Sequence, residues 1–434
     1  MTLKPSGELR ELVSKSLIWH PWTQVKTASA PQKVVSGSGV FLTLADGRKL
    51  IDATSSWWVN LHGHAHPKIA EAIYKQALQL EHVMFAGFSH EPAEHYVEKL
   101  QPHLPSHLNR FFFSDNGATS VEAALKMAFQ YFWNLGKPRK TFVVFEGGYH
   151  GDTLGAASVS SIAVVAAPFE PLLFEVLRTP YPATFWGDAE VEEKEGKALL
   201  ALENIFKARG EEVAAVVIEP LMQGLGGLRQ ARPQFFNEVE KVARRYGALI
   251  IFDEVMTGFG RTGTLFAVDQ TTCKPDFICL SKAITGGFLP LALTVTTEKV
   301  YEAFLSDNVG KAFLHGHSYT GNPLGCVAAT ASLELLQEGR YKLMHDRMKE
   351  RGSFLLTHPK VKKVRGLGAI FVFDLDADEG YGSALGKQFQ KIVEEHGVLI
   401  RPFGEAVFIT PPYTITDQEL DSVFSAVKIA LDKI

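Results

Sequence analysis

The sequence predicts an α/β fold: a mostly parallel central sheet in a large domain, with a smaller α+β domain attached. Two observations predict it. From about residue 109, short apolar runs recur at Arg110–Phe113, Thr141–Phe145, Ala214–Ile218, Ala248–Phe252, Phe277–Leu280 and Leu291–Thr296. Most are separated by stretches long enough for a helix, and runs apolar on both faces that alternate with helices indicate parallel sheets covered on both sides. After Pro323 the texture changes to a helical stretch, Val327–Leu336, followed by shorter segments at Ala369–Asp374, Val398–Arg401 and Ala406–Thr410. At 434 residues the chain is too long for one simple core. The expected divisions are 1–65, an N-terminal segment with a hairpin that joins the small domain; 66–324, the large ligand-binding domain; and 325–434, the C-terminal small domain.

In chain order, Val40 to Asp52 reads as a β-hairpin, two alternating runs flanking the tight-turn pair Asp46-Gly47. Ser114-Asp115-Asn116-Gly117-Ala118-Thr119 follows a strand and opens a helix whose apolar positions, Val121, Ala124, Leu125 and Ala128, recur at helical spacing. Thr119 and Glu122 have the spacing of a capping box. Free N–H groups at such a helix start make a phosphate site, and small residues there allow close approach. Gly147-Gly148-Tyr149-His150-Gly151 follows the next strand; its glycines admit a ligand to the backbone, and Tyr149 can lie on an aromatic ring.

The most informative pair comes later. Ala248–Phe252 stops at Asp253, and Phe277–Leu280 stops just before Lys282. Ligands on parallel sheets collect beyond the carboxyl ends of the strands, where both residues fall. An acid and a lysine at the ends of neighbouring buried strands are what a pyridoxal 5'-phosphate site requires. The lysine holds the aldehyde covalently and the acid keeps the pyridine nitrogen protonated. Alone, each has an ordinary explanation, since strand-end lysines are usually solvated and a strand-end Asp often caps a helix.

Other signals point elsewhere and fail on context. Gly258-Phe259-Gly260-Arg261-Thr262-Gly263 matches the dinucleotide fingerprint G-x-G-x-x-G, yet no clear helix opens behind it and no acid ends a strand about 20 residues on. The acidic strand end at Asp253-Glu254 lacks the G-x-x-x-x-G-K-[ST] that a P-loop needs. His62, His64 and His66 alternate within a turn-like stretch without a carboxylate or cysteine to complete a metal set, so no metal is expected. A net charge of -4 gives no reason to expect nucleic acid or an anionic membrane as partner. Residues 1–15 show no signal-peptide core, no run reaches transmembrane length, and three cysteines show no metal spacing, so a cytoplasmic protein is expected. Arg401 ends an apolar run and needs an anionic partner, either a structural or a substrate carboxylate. Trp57 and Trp58 cannot both face one core if extended, so one of them is a candidate pocket wall.

With these residues placed, the chain resembles the class III, fold-type I pyridoxal-phosphate aminotransferases nearly end to end. The resemblance is carried by Ile18-Trp19-His20-Pro21, Ser55-Ser56-Trp57-Trp58, His82-Val83-Met84-Phe85, Asp253-Glu254-Val255-Met256-Thr257-Gly258 and Gly258–Gly263. His315-Gly316-His317-Ser318, Gly321-Asn322-Pro323 and Arg401-Pro402-Phe403-Gly404 add to it. It implies that Lys282 and Asp253 are catalytic and that Tyr149 stacks on the cofactor ring. Gly117, Ala118 and Ser318 hold its phosphate, with His317 also at the cofactor, and Ser318 reaches across a homodimer interface. Trp22, Trp57, Tyr149, Gly316 and Arg401 line the substrate site, Arg401 taking a carboxylate. The implied reaction is a two-stage transamination from a small amino donor to a keto-amine fatty acid. Trp22 stands where the family usually has Tyr, Ala118 where it often has Ser, and Phe408 where Tyr is sometimes found. These departures leave adenosylmethionine and lysine open as donors, Trp57 favouring the former. A general ω-amino-acid aminotransferase would share every cofactor residue.

Overall fold

In the computed structural model, residues 17–376 and 384–434 are described; the stretch 1–15 read for a signal peptide lies outside them. In chain order the strands are β1 (Val34–Ser38), β2 (Phe41–Leu44), β3 (Lys49–Asp52), β4 (Leu108–Ser114), β5 (Thr141–Phe145), β6 (Leu177–Thr179) and β7 (Val213–Ile218). They continue with β8 (Leu249–Asp253), β9 (Phe277–Leu280), β10 (Ala292–Thr297), β11 (Val361–Leu367), β12 (Ile370–Leu375), β13 (Val398–Leu399) and β14 (Ala406–Ile409).

The central sheet has the order β4-β10-β9-β8-β7-β5-β6. Strands β5 to β9 run parallel, whereas β10 is antiparallel to both its neighbours. The link Ser281–Leu291 between β9 and β10 is too short for a crossover helix, and that reverses the chain. Successive residues of the buried strands serve opposite faces. Val216, Ile218, Ile250 and Phe252 pack with Leu202, Phe235 and Phe236. Ala215, Val217, Leu249 and Ile251 pack with Val121, Ala124 and Ala128 of the helix Gly117–Asn134. Full burial on both faces is why these strands read as unbroken apolar runs rather than as alternation.

Two smaller sheets flank this layer. The hairpin β2–β3 pairs with β1 on one side, and on the other β3 runs parallel to β13, placing Val398 opposite Ile51 and Leu399 opposite Asp52. The third sheet is the antiparallel β11-β12-β14. The turn Gly258–Gly263 opens no helix. Its Arg261 is fully buried and donates to the carbonyls of Asn60, Thr410 and Pro411, tying the N-terminal, central and C-terminal parts together. Among the described residues no helix is long and apolar enough to cross a membrane.

Candidate active site

Strands β8 and β9 are paired in parallel with Asp253 opposite Cys279, so Asp253 and Lys282 emerge at the same edge of the sheet. There they line a cavity of about 770 Å³ with Trp22, Trp57, Gly117, Ala118 and Tyr149. Lys282 has a left-handed backbone (φ 48°), and its ammonium lies 5.2 Å from the centre of the Trp58 ring. Desolvation lowers its pKa, opposed by the charges of Asp253, Glu219 and Asp152. A depressed lysine is the form that takes up a proton.

Asp253 is buried. Its Oδ1 accepts from Val255 N at 3.0 Å and its Oδ2 pairs with His150 Nδ1 at 2.7 Å. Burial pushes the His150 pKa down, but the hydrogen bond and charge of Asp253, with Glu219 beyond, outweigh it and hold the imidazole above its ordinary value. Glu219, at the end of β7, accepts from Tyr149 N and Gly224 N, and burial raises its pKa to about 7. Burial also pushes the Tyr149 hydroxyl up, with the carboxylate of Asp152 adding to the shift. Tyr149 meets Trp22 edge to face at 6.2 Å.

The phosphate-type element is built differently from the expected capping box. Asn116, not Thr119, is the N-cap: its side chain accepts from Thr119 N while the Thr119 hydroxyl accepts from Asn116 N. Glu122 instead reaches across to Thr153 Oγ1, Gly155 N and Ala156 N. The Gly117 and Ala118 N–H groups, at the first helical positions, thus have no intrahelical acceptor and border the cavity. Gly117 has no room for a side chain, since a Cβ would stand 2.6 Å from Val255 Cγ1. Gly151, at φ 128°, packs so closely on Ala118 that its Cβ would meet Ala118 Cβ at 2.4 Å. This cradle, the lysine, the acid and the Tyr149 ring fit a phosphorylated pyridine aldehyde. Gly117→Ala is accordingly expected to weaken cofactor retention by ~10- to 100-fold, the equivalent of the ~1–3 kcal/mol that overpacking costs, measured by cofactor titration of the apoprotein.

The tandem tryptophans depart from an extended reading. Ser55, Ser56, Trp57 and Trp58 all have positive φ (48°, 46°, 67° and 67°), so the segment is a left-handed turn and both indoles face the cavity. Left-handed backbone costs non-glycine residues roughly 1–2 kcal/mol each, so the turn must be held from outside. Trp58 backs onto Phe403 and Phe408, and the latter is buried as packing rather than at the pocket edge. Arg401 stands behind the wall. Its guanidinium lies 5.3 Å from the centre of the Trp57 ring and donates to Trp22 O at 3.4 Å.

Gly316, His317 and Ser318 are not brought into this cavity. Gly316 and Ser318 are exposed, and His317 Nε2 reaches only to 3.9 Å from Asp115 Oδ1 at the rim. His64 meets Asp52 and Asn60, and His62 meets Ser332. Residues to which sequence reasoning gave no role are Glu219, His150, Asp152 and Phe403, and where it expected one of the tandem indoles at the pocket, both are there. Glu219 carried a readable signal, an acid ending the buried run Val213–Ile218, the same signal that singled out Asp253.

A strand-end acid and lysine beside a helix-start cradle on a sheet of this order place the fold among the fold-type I pyridoxal-phosphate transferases. The sequence pattern of the class-III aminotransferases matches residues 23–431. The chain is 53% identical to the adenosylmethionine-8-amino-7-oxononanoate aminotransferase of Synechococcus elongatus, over 96% of this chain and 99% of that protein. The crystal structure of adenosylmethionine-8-amino-7-oxononanoate aminotransferase from Methanocaldococcus jannaschii superposes with a TM-score of 0.89 at 34% identity, covering 98% of this chain and 99% of that one. An amine transaminase in PLP-bound form, from an uncultivated Pseudomonas species, superposes with a TM-score of 0.91 at 28% identity over 96% of this chain and 99% of that one. The chain belongs to the class-III aminotransferase family. Family and neighbour together imply pyridoxal phosphate as its cofactor.

Proposed function

We propose that this aminotransferase moves an amino group from S-adenosylmethionine to 8-amino-7-oxononanoate, giving the 7,8-diaminononanoate used in biotin synthesis. The observation that carries this reading is the 53% identity, sustained over nearly the whole of both chains, to a relative named for that donor and acceptor. Pyridoxal phosphate, when bound, supplies the electron sink that makes the substrate's α-proton removable. Lys282 Nζ is the amine that would hold the cofactor, and, with its pKa lowered by desolvation, it is the group placed to take a proton from the substrate carbon and return it. Asp253, its two oxygens fixed by Val255 N and His150, would keep the cofactor's ring nitrogen protonated. The Gly117 and Ala118 N–H groups would hold its phosphate, and the Tyr149 ring would stack on its ring. Trp22 and Trp57 wall the substrate side, and Arg401, stacked on Trp57, takes a substrate carboxylate.

The protein acts as a homodimer with shared sites. Gly316, His317 and Ser318 stand outside this chain's own cavity in a segment flanked by exposed Leu314 and Tyr319, which suits donation to a second copy.

The test is the cofactor absorbance of the holoenzyme before and after adding adenosylmethionine, with lysine in a parallel cuvette. Conversion of the cofactor from its aldehyde to its amine form by adenosylmethionine alone is expected. Conversion by lysine alone would overturn the donor and direct attention to Trp22. Conversion only by simple ω-amines would overturn the acceptor as well.

A further inference from the structure

Asp52 ends β3 with its side chain fully shielded, yet it touches no part of the cavity. Every hydrogen bond it accepts comes from the turn that carries the two tryptophans or from the loop behind that turn. Its Oδ1 accepts from Thr54 N at 3.2 Å and from Thr54 Oγ1 at 2.9 Å, and its Oδ2 from Ser56 Oγ at 2.7 Å. His64 Nε2 is 3.1 Å from the same Oδ2. The other ring nitrogen of His64 faces Asn60 Nδ2 at 3.1 Å, and with that amide donating, the imidazole proton sits on Nε2 and points at Asp52. The far side of the turn is pinned by Ser55 Oγ, which donates to Thr410 O at 2.6 Å. His64 is itself held by its backbone N–H on Gly39 O at 2.6 Å, and its Cβ fills the space over Gly37.

These contacts answer a question the tryptophans raise. Four successive non-glycine residues in left-handed backbone do not stay there unaided, and a relaxed segment would turn one of the two indoles away from the cavity. The indoles in turn each bear a cation that the chemistry uses: Trp58 lies beneath Lys282 and Trp57 beneath Arg401. The turn therefore sets the spacing between the amine that exchanges with substrate and the guanidinium that holds a carboxylate.

Taking the cavity as the aminotransferase site described above, we infer that Asp52, with His64 behind it, is a positioning device that fixes Trp57 and Trp58 and thereby sets selectivity for substrates carrying a carboxylate. Neither residue touches substrate; both act through the indoles. Of the three alternating histidines, His64 is thus committed to this turn. His64 spends one ring nitrogen on Asp52 and the other on Asn60.

The test uses the purified holoenzyme and its Asp52→Asn, His64→Gln, His64→Leu, Ser56→Ala and Trp57→Phe forms. Asp52→Asn is expected to raise KM for the keto-amine acid about tenfold, the equivalent of one lost charge-assisted hydrogen bond, with kcat changed less than about threefold. Its near-ultraviolet circular dichroism, dominated by tryptophan, is expected to fall without substrate present. His64→Gln places an amide N–H where Nε2 was and should behave as the parent, whereas His64→Leu should follow Asp52→Asn. The Asp52→Asn/Trp57→Phe double variant should raise KM no further than Trp57→Phe alone, because both changes remove one interaction.

A drop in melting temperature with KM and dichroism unchanged would overturn the device and leave Asp52 a stabilising residue only; so would full additivity with Trp57→Phe. If Asp52→Asn does not fold, Ser56→Ala removes one of the same bonds from an exposed position and is read in the same way. The dichroism needs no substrate, so a wrong substrate assignment shows as an intact dichroic effect with no KM to measure.

Discussion

Lys282→Ala is expected to lower turnover by at least ~10²–10⁴-fold, the range for removal of a general acid–base group, and to leave the cofactor held without its covalent anchor. The geometry makes the loss specific. Lys282 lies over the face of Trp58 and has its pKa lowered by desolvation, so its amine is held ready to accept a proton. Among the described residues no other lysine lines the cavity. Alanine at this position leaves Asp253, Gly117, Ala118 and Tyr149 in place, so the variant should still bind cofactor by phosphate and ring contacts. Lys282→Arg separates charge from proton transfer. It keeps a cation in the cavity, but a guanidinium does not give up its proton in proteins, so its turnover should fall as far as that of the alanine variant. The measurement is single-turnover conversion of the cofactor by donor, followed by absorbance. Turnover of either variant near that of the parent would remove Lys282 from the chemistry.

Much of the large domain was legible because its strands are buried on both faces. Such strands appear as short apolar blocks that no surface element imitates, and all six proposed runs became parallel or antiparallel neighbours within a residue or two of their expected bounds. Three strands were passed over, each for a physical reason, and the first, β1, is mostly exposed and carries Gly37 in its interior. β6 is three residues long and carries Arg178, which is exposed. β11 carries Lys362, Lys363 and Arg365, with a break in register between Lys362 and Arg365, so it has neither an apolar block nor a clean alternation. The partnership of β3 with β13 joins positions about 350 residues apart and has no local signature at all.

The site divides along a similar line. Asp253 and Lys282 are readable because strand ends on a parallel sheet converge, so two separate blocks of sequence predict one place in space. The His150 bond to Asp253 is not readable in that way, since His150 lies in a loop whose path depends on the packing of Gly151 against Ala118. The left-handed turn at Ser55–Trp58 is the clearest case. Without a glycine to announce positive φ, the segment reads as extended, and only the bonds that Ser56 donates to Asp52 and Ser55 to the distant Thr410 reveal why both indoles face inward. The helix cap was displaced by one turn for a simpler reason. Asn116 and Thr119 both suit an N-cap, and the choice was made by Glu122, which is engaged with the loop at Thr153 rather than with its own helix.

Asp253→Asn is expected to slow both half-reactions by ~10²–10³-fold while the cofactor stays bound, the scale seen when one preorganised electrostatic group is removed from a site. An amide is nearly isosteric, so its oxygen can still accept from Val255 N and the strand end should keep its shape. What is lost is the negative charge, and two partners depend on it. The pyridine nitrogen loses the anion that favours its protonated form, so charge developing in the transition state is no longer drawn into the ring. His150, fully enclosed, loses the bond and charge that hold its pKa up against burial, so its pKa falls. Because the effect lies in the transition state rather than in substrate contact, kcat and kcat/KM should fall together with KM little changed. Asp253→Glu keeps the charge but pushes it one methylene further from β8, out of line with Val255 N and His150, and should recover only part of the loss. The experiment is a pH series of single-turnover rates for the three proteins alongside the cofactor spectrum. Rates for Asp253→Asn within about threefold of the parent would mean that the acid at the end of β8 serves structure and not the ring.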